Sequence, residues 1–167
     1  MKKILLLVLT FTMSMGLYAQ RGAVEMFFNK YKDNDNFTSV YISKSMFGTM
    51  LKNKGGNNKP DILNSLNGLD ILTTEKKARS FFNEAKSTLF SNGYEELMRV
   101  NDQGTNVLFM VKDSDGTTAK ELVFLILDDK QAVMMSFTGN IPLDKISELG
   151  NTVNFGGKQY FNSANKR

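Results

Sequence analysis

The chain of 167 residues sets 21 Lys and Arg against 17 Asp and Glu, a formal charge of +4, and contains no histidine and no cysteine. These absences exclude a disulfide framework, an imidazole base, a triad of the Ser-His-Asp kind and an ordinary zinc site, which leaves carboxylate, Lys or Tyr chemistry or none. The length suits one domain with its own core, and no basic stripe for nucleic acid stands out, because Lys76, Lys77, Arg79 and Lys86 share their segment with Glu75 and Glu84.

Met1, Lys2 and Lys3 form a positive start, residues 4–11 an apolar run, and Gly16, Leu17, Tyr18 and Ala19 a small-residue exit. That is the layout of a secretory signal peptide over residues 1–19, with cleavage expected between Ala19 and Gln20. Thr10, Thr12 and Ser14 dilute the run, and a bilayer span takes roughly 20 apolar residues. A lipid anchor would need a cysteine after the cleavage site, so the expectation is an exported protein, periplasmic or extracellular, with no stable membrane anchor. Loss of Lys2 and Lys3 lowers the formal charge from +4 to +2.

A single α+β domain is expected over residues 20–153. Val24, Phe27, Phe28 and Tyr31 recur at helical spacing. Asp33, Asn34, Asp35 and Asn36 break that pattern, and residues 37–42 (FTSVYI) suit a strand. Ser43 is placed to cap a second helix bearing Met46, Phe47, Met50 and Leu51 on one side, followed by a loop over 52–60. Residues 69–73 read as a strand, with Thr73 or Thr74 as the next cap. Ala78, Phe81, Phe82, Ala85 and Leu89 form the clearest helical stripe, closed by Gly93.

Residues 94–101, 106–112, 120–127 and 131–139 then read as consecutive strands joined by short turns, an antiparallel meander. Residues 122–127 are apolar without a break, which suggests a central strand covered on both faces. Pro142 stands near the first turn of a last helix with Leu143, Ile146 and Leu149, and Gly150 as its stop. Residues 154–167 are expected to form a flexible tail. The predicted architecture is a mainly antiparallel sheet with helices packed on one face.

No catalytic, cofactor-binding or metal-ligating set is assigned. Asp113, Asp115 and Gly116 resemble the start of a calcium loop, but its twelfth position, where a bidentate Glu belongs, is Phe124, so a hairpin turn is expected. Asp33 and Asp35 lack the same partners. Asp128 with Asp129 and Glu95 with Glu96 are sequence neighbours, which on a strand point to opposite faces and form no two-carboxylate site; a pair from different strands stays open. Gly55, Gly56 and Lys59 lack a phosphate loop's ending. Asn36, Phe37 and Thr38 fit the glycosylation triplet. Met26, Met46, Met50, Met98, Met110, Met134 and Met135 serve either core packing or an adaptable apolar surface, for which Met46, Phe47 and Met50 are the candidates.

Phe28-Asn29-Lys30-Tyr31, residues 37–47 (FTSVYISKSMF), residues 135–141 (MSFTGNI) and residues 143–149 (LDKISEL) together resemble the small exported Bacteroidetes proteins grouped as domain of unknown function 4252. The resemblance implies an envelope location in a Gram-negative bacterium and brings no activity. Several relatives look like lipoproteins, and this chain departs from them in lacking the cysteine.

The leading expectation is a non-catalytic exported module that binds another envelope component or joins an assembly. The alternative is a small-molecule or lipid-binding protein with an apolar groove between sheet and helices. A weaker alternative is a hydrolase built on carboxylates.

Overall fold

The structure, a computed structural model, describes residues 22–53 and 62–152. The expected signal segment with Ala19 and Gln20, the loop residues Gly55, Gly56 and Lys59, and the expected tail lie outside the described residues. The elements in order are α1 (Ala23–Tyr31), β1 (Thr38–Ser43), α2 (Lys44–Asn53), α3 (Ile62–Ser65), β2 (Leu66–Thr74), α4 (Ala78–Ser91), β3 (Glu95–Asp102), β4 (Thr105–Lys112), β5 (Thr118–Leu127), β6 (Ala132–Pro142), a 3-10 turn (Leu143–Lys145) and α5 (Ile146–Thr152). The strands form one six-stranded sheet in the order β1-β2-β6-β5-β4-β3. Every neighbouring pair is antiparallel.

The α+β class and the C-terminal meander stand as expected, but the helices occupy both faces of the sheet rather than one. Side chains alternate along a strand, so Val107, Phe109 and Val111 point to one face of β4 while Leu108 and Met110 point to the other. A strand apolar on both sides needs cover on both sides. On the first face Phe47 of α2, Ile62 and Leu63 of α3, and Ile146 and Leu149 of α5 supply it, packed on Phe109, Phe124 and Phe137. On the second face Val24 and Phe27 of α1 and Phe81, Phe82, Ala85 and Leu89 of α4 pack on Leu72, Val123, Leu125 and Met134.

The three strand phenylalanines of the first face stand edge-to-face, with ring centroids 4.6 Å apart for Phe109 and Phe124 and 5.6 Å for Phe124 and Phe137. Each ring pair contributes about 0.5–1.5 kcal/mol beyond its area burial, which ties three neighbouring strands together.

Helix α4 ends as its glycine dictates. Gly93, at φ +78°, donates to the Phe90 carbonyl at 3.2 Å, and Tyr94 donates back to Leu89 at 3.2 Å. This is a Schellman stop, open to a residue without a Cβ penalty. It turns the chain so that Tyr94 is buried in the second core.

Other boundaries differ from expectation. Neither Thr73 nor Thr74 caps α4: its N-cap is Lys77 at φ +57°, and the Thr74 hydroxyl instead donates to the carbonyls of Asn36 and Lys76, each at 2.8 Å. Ser43 ends β1 and directly precedes α2, so it stands at the position expected of that helix's cap. Pro142 ends β6 and precedes a 3-10 turn, and Gly150 lies inside α5 because the helix runs on to Thr152. Helix α3 was not legible, since four residues offer no period to detect.

Candidate functional site

Polar side chains interrupt the second face at one end of the sheet. Tyr41, Asp70, Ser136 and Val123 stand in one cross-strand row over β1, β2, β6 and β5. Gly68, Thr138 and Glu121 stand in the next row. Leu72 and Met134 continue the same face as apolar core, so the polar character is local. Helix α1 starts at this end. It leaves a crevice of about 320 Å³, floored by Asp70, Glu121 and Thr138 and walled by Gly22, Val24, Glu25, Phe28 and Asn29.

Glu121 is held firmly. Its Oε2 accepts the Tyr94 hydroxyl and its Oε1 accepts the Ser136 hydroxyl, both at 2.5 Å. Tyr94 and Ser136 are buried, so each hydroxyl would otherwise lose its water without a partner, and the carboxylate satisfies both. Burial, and then the bond to Glu121, push the Tyr94 phenol far above its ordinary pKa, so it stays a donor at any physiological pH. The Lys112 ammonium lies 5.2 Å from the Tyr94 ring centroid, a cation–π contact.

Asp70 is different. It is half-buried, and burial raises its carboxyl above the usual range, with the negative charges of Glu121 and Glu25 adding to the rise. Among the described residues, none of Glu25, Asp70 and Glu121 is in an ion pair, unlike Glu84 with Lys30 and Glu96 with Arg99. The crevice is therefore a local excess of negative charge on a chain of positive net charge. Among the described residues no group of three or more His, Cys, Asp or Glu is close enough to hold a metal ion.

The sheet's two edges are unlike. Edge strand β3 carries Glu95, Glu96, Arg99 and Asp102, and its pairing with β4 is broken by a bulge between Glu96 and Met98. Such charges and bulges discourage a further strand. Edge strand β1 (TSVYIS) has no charge and no proline, and pairs with β2 in unbroken register. Its Val40 is 40% and its Tyr41 63% exposed. Tyr41 leans inward: its Cε2 lies 3.6 Å from where a Cβ on Gly68 would stand.

The residues singled out from sequence do not gather here. Phe47 is buried in the first core, Met46 is half-exposed, and the Met50 side chain lies outside the described residues. Met110, Met134 and Met135 are core residues. Asp115 spends its carboxylate on its own turn, accepting the N–H groups of Thr117 at 2.8 Å and Thr118 at 2.7 Å, and these bonds hold it far below the usual carboxylate range. Asp128 staples its turn in the same way through Lys130 and Gln131. Glu96 pairs with Arg99.

Asp70, Glu121, Ser136 and Thr138 went unread. The available signal was parity: Asp70 on β2, Glu121 on β5, and Ser136 and Thr138 on β6 share the face of their strands that elsewhere carries Leu72, Val123 and Met134, and a polar side chain at a core position is the informative exception.

Among the described residues no helix is long and apolar enough to cross a membrane. No curated protein and no solved structure matches the chain. A family model described as Domain of unknown function (DUF4252) matches residues 31–149, more than half of the chain.

Proposed function

The chain belongs to the DUF4252 family, and from that premise we propose that it is a non-catalytic exported binding module that receives a cationic group in the crevice between α1 and the end of the sheet. The observation that carries this is the set of carboxylates, Glu25, Asp70 and Glu121, that share one crevice with no cation paired to them among the described residues. A half-buried carboxylate gains most from an opposite charge, because a cation offsets both its desolvation and its repulsion from like neighbours. The exposed Tyr41 ring, on the residue paired with Asp70 across β1 and β2, adds an aromatic face suited to an ammonium or guanidinium. Export to the cell envelope is supported by the pattern of residues 1–19.

The test is a titration of the purified protein with Nα-acetyl-lysine methyl ester, followed by amide NMR. Shifts confined to residues 22–29, Gly68 and Thr138, and lost in Asp70→Asn, are expected. Shifts absent, or spread evenly over the acidic side chains of the surface, would overturn the proposal.

A second reading is favoured by one observation: Asp70 and Glu121 come from different strands, face one crevice, and Asp70 is raised. A raised carboxyl beside a held carboxylate is the pattern of an acid and its partner in glycoside hydrolysis. Turnover of a chromogenic glycoside that disappears in both Asp70→Asn and Glu121→Gln would replace the binding proposal with this one.

A further inference from the structure

We infer that the β1 edge takes an extended, basic segment of a partner protein as a seventh strand, whose Lys or Arg side chains cross Tyr41 to reach Asp70 on the near side of the crevice. The inference rests on the cation-binding reading above and names its occupant. A strand that pairs with an open edge satisfies a row of backbone donors and acceptors that otherwise face water, and side-chain pockets then choose the partner. Among the described residues edge β1 is open in this sense, and edge β3 carries charges and a bulge that oppose pairing.

The pocket lies within reach of that edge. Neighbouring strands are about 4.8 Å apart, so a residue added opposite Tyr41 lies one spacing from Tyr41 and about 10 Å from Asp70, backbone to backbone. An extended Lys or Arg side chain covers roughly 6 Å of this, and the Asp70 side chain covers much of the rest. The path runs over the Tyr41 ring, 63% exposed and leaning on the bare backbone of Gly68. A cation on that path meets first a ring face and then Asp70, while Glu121 lies one row on and two strands further in, on β5.

Charge complementarity selects the occupant. A second copy of this chain would bring its own β1, residues 38–43, which contain no charged side chain and would leave the carboxylates unpaired. A basic strand pairs both the backbone and the charge. Alternation places every second side chain on the crevice face, so a segment with basic residues at alternate positions fits.

The experiment uses acetyl-Thr-Lys-Val-Lys-Val-Lys-Thr-amide, its counterpart with Glu for Lys, and two versions of the basic peptide N-methylated on one or the other alternate set of residues. In an antiparallel addition only one set of N–H groups faces β1. Binding of the basic peptide is expected to be at least tenfold tighter than that of the acidic one, and at least tenfold weaker on methylation of one set but not the other. Equal binding of both methylated peptides would overturn the strand addition while leaving the cation site standing. If neither the basic peptide nor Nα-acetyl-lysine methyl ester binds, the cation site itself fails. A peptide-free dimer that Val40→Lys converts to monomer would show that a second copy occupies the edge, and would overturn the inference.

Discussion

Gly139→Ala is expected to be one of the most damaging single-methyl additions to this chain. Gly139 lies in β6 at φ +157°, opposite Leu66, where the β2–β6 pairing shifts register. A Cβ there would stand 2.1 Å from the Ser65 carbonyl oxygen and 3.0 Å from Leu66 Cα. Both neighbours are backbone, and they join α3 to β2, so no side chain can rotate away. Ordinary contact requires the two backbones to part by about 1 Å, which would loosen the packing of Ile62, Leu63 and Leu66 on the first core. Overpacking of this kind costs about 3 kcal/mol. The backbone conformation adds about 1 kcal/mol. A total of about 4 kcal/mol corresponds to a fall in Tm of about 15 °C for a domain of this size.

Thermal and urea unfolding of the variant should be read beside Gly116→Ala. Gly116 has φ +87° with nothing within 4 Å of its added Cβ, so only conformational strain of about 1 kcal/mol applies. Equal losses in the two variants would refute the close-approach argument.

Asp70→Asn should make the protein more stable than the parent at pH 7. The folded carboxyl is raised, so between the ordinary value of 3.8 and the raised one the folded state holds more proton than the unfolded, and stability falls as pH rises through that window. The gap between variant and parent should close as pH drops below 3.8, a comparison of Tm against pH. Glu84 has the opposite sign: the bond from Lys30 lowers its carboxyl, so its contribution is present above the ordinary range and lost as pH falls. Both partners are well exposed, and Glu84→Gln should cost under about 1 kcal/mol by urea unfolding. Tyr94→Phe removes one of the two hydroxyls on Glu121 and should cost about 1–3 kcal/mol of stability, read as a lower urea midpoint at unchanged m-value. Combined with Ser136→Ala, the loss should depart from the sum of the singles, because both donors serve one carboxylate.

How much of this was legible follows from which interactions are local. The Phe81–Leu89 stripe and the uninterrupted residues 122–127 carry their own periodicity, so helix α4 and central strand β5 stand where sequence places them. That same uninterrupted run also contradicted a sheet covered on one face only, since neither side of β5 could then meet water. Met46 and Phe47 read as one surface because both fit a helical stripe. Consecutive residues on a helix lie about 100° apart, so packing Phe47 into the core turns Met46 outward.

The crevice was hidden for a different reason. Asp70 and Ser136 become neighbours only because β2 inserts beside β6, a pairing of residues far apart in the chain. Parity along each strand assigns a face but not a neighbour, and the order β1-β2-β6 is decided by long-range packing.

The most direct measurement is the pKa of the Asp70 carboxyl, followed by carbon-detected NMR in the free protein and in the presence of saturating Nα-acetyl-lysine methyl ester. In the free protein the value should lie above 3.8. With the cation bound it should fall, because a ligand that prefers the ionised carboxylate must lower its proton affinity. A value that does not move on addition of the cation would contradict the account.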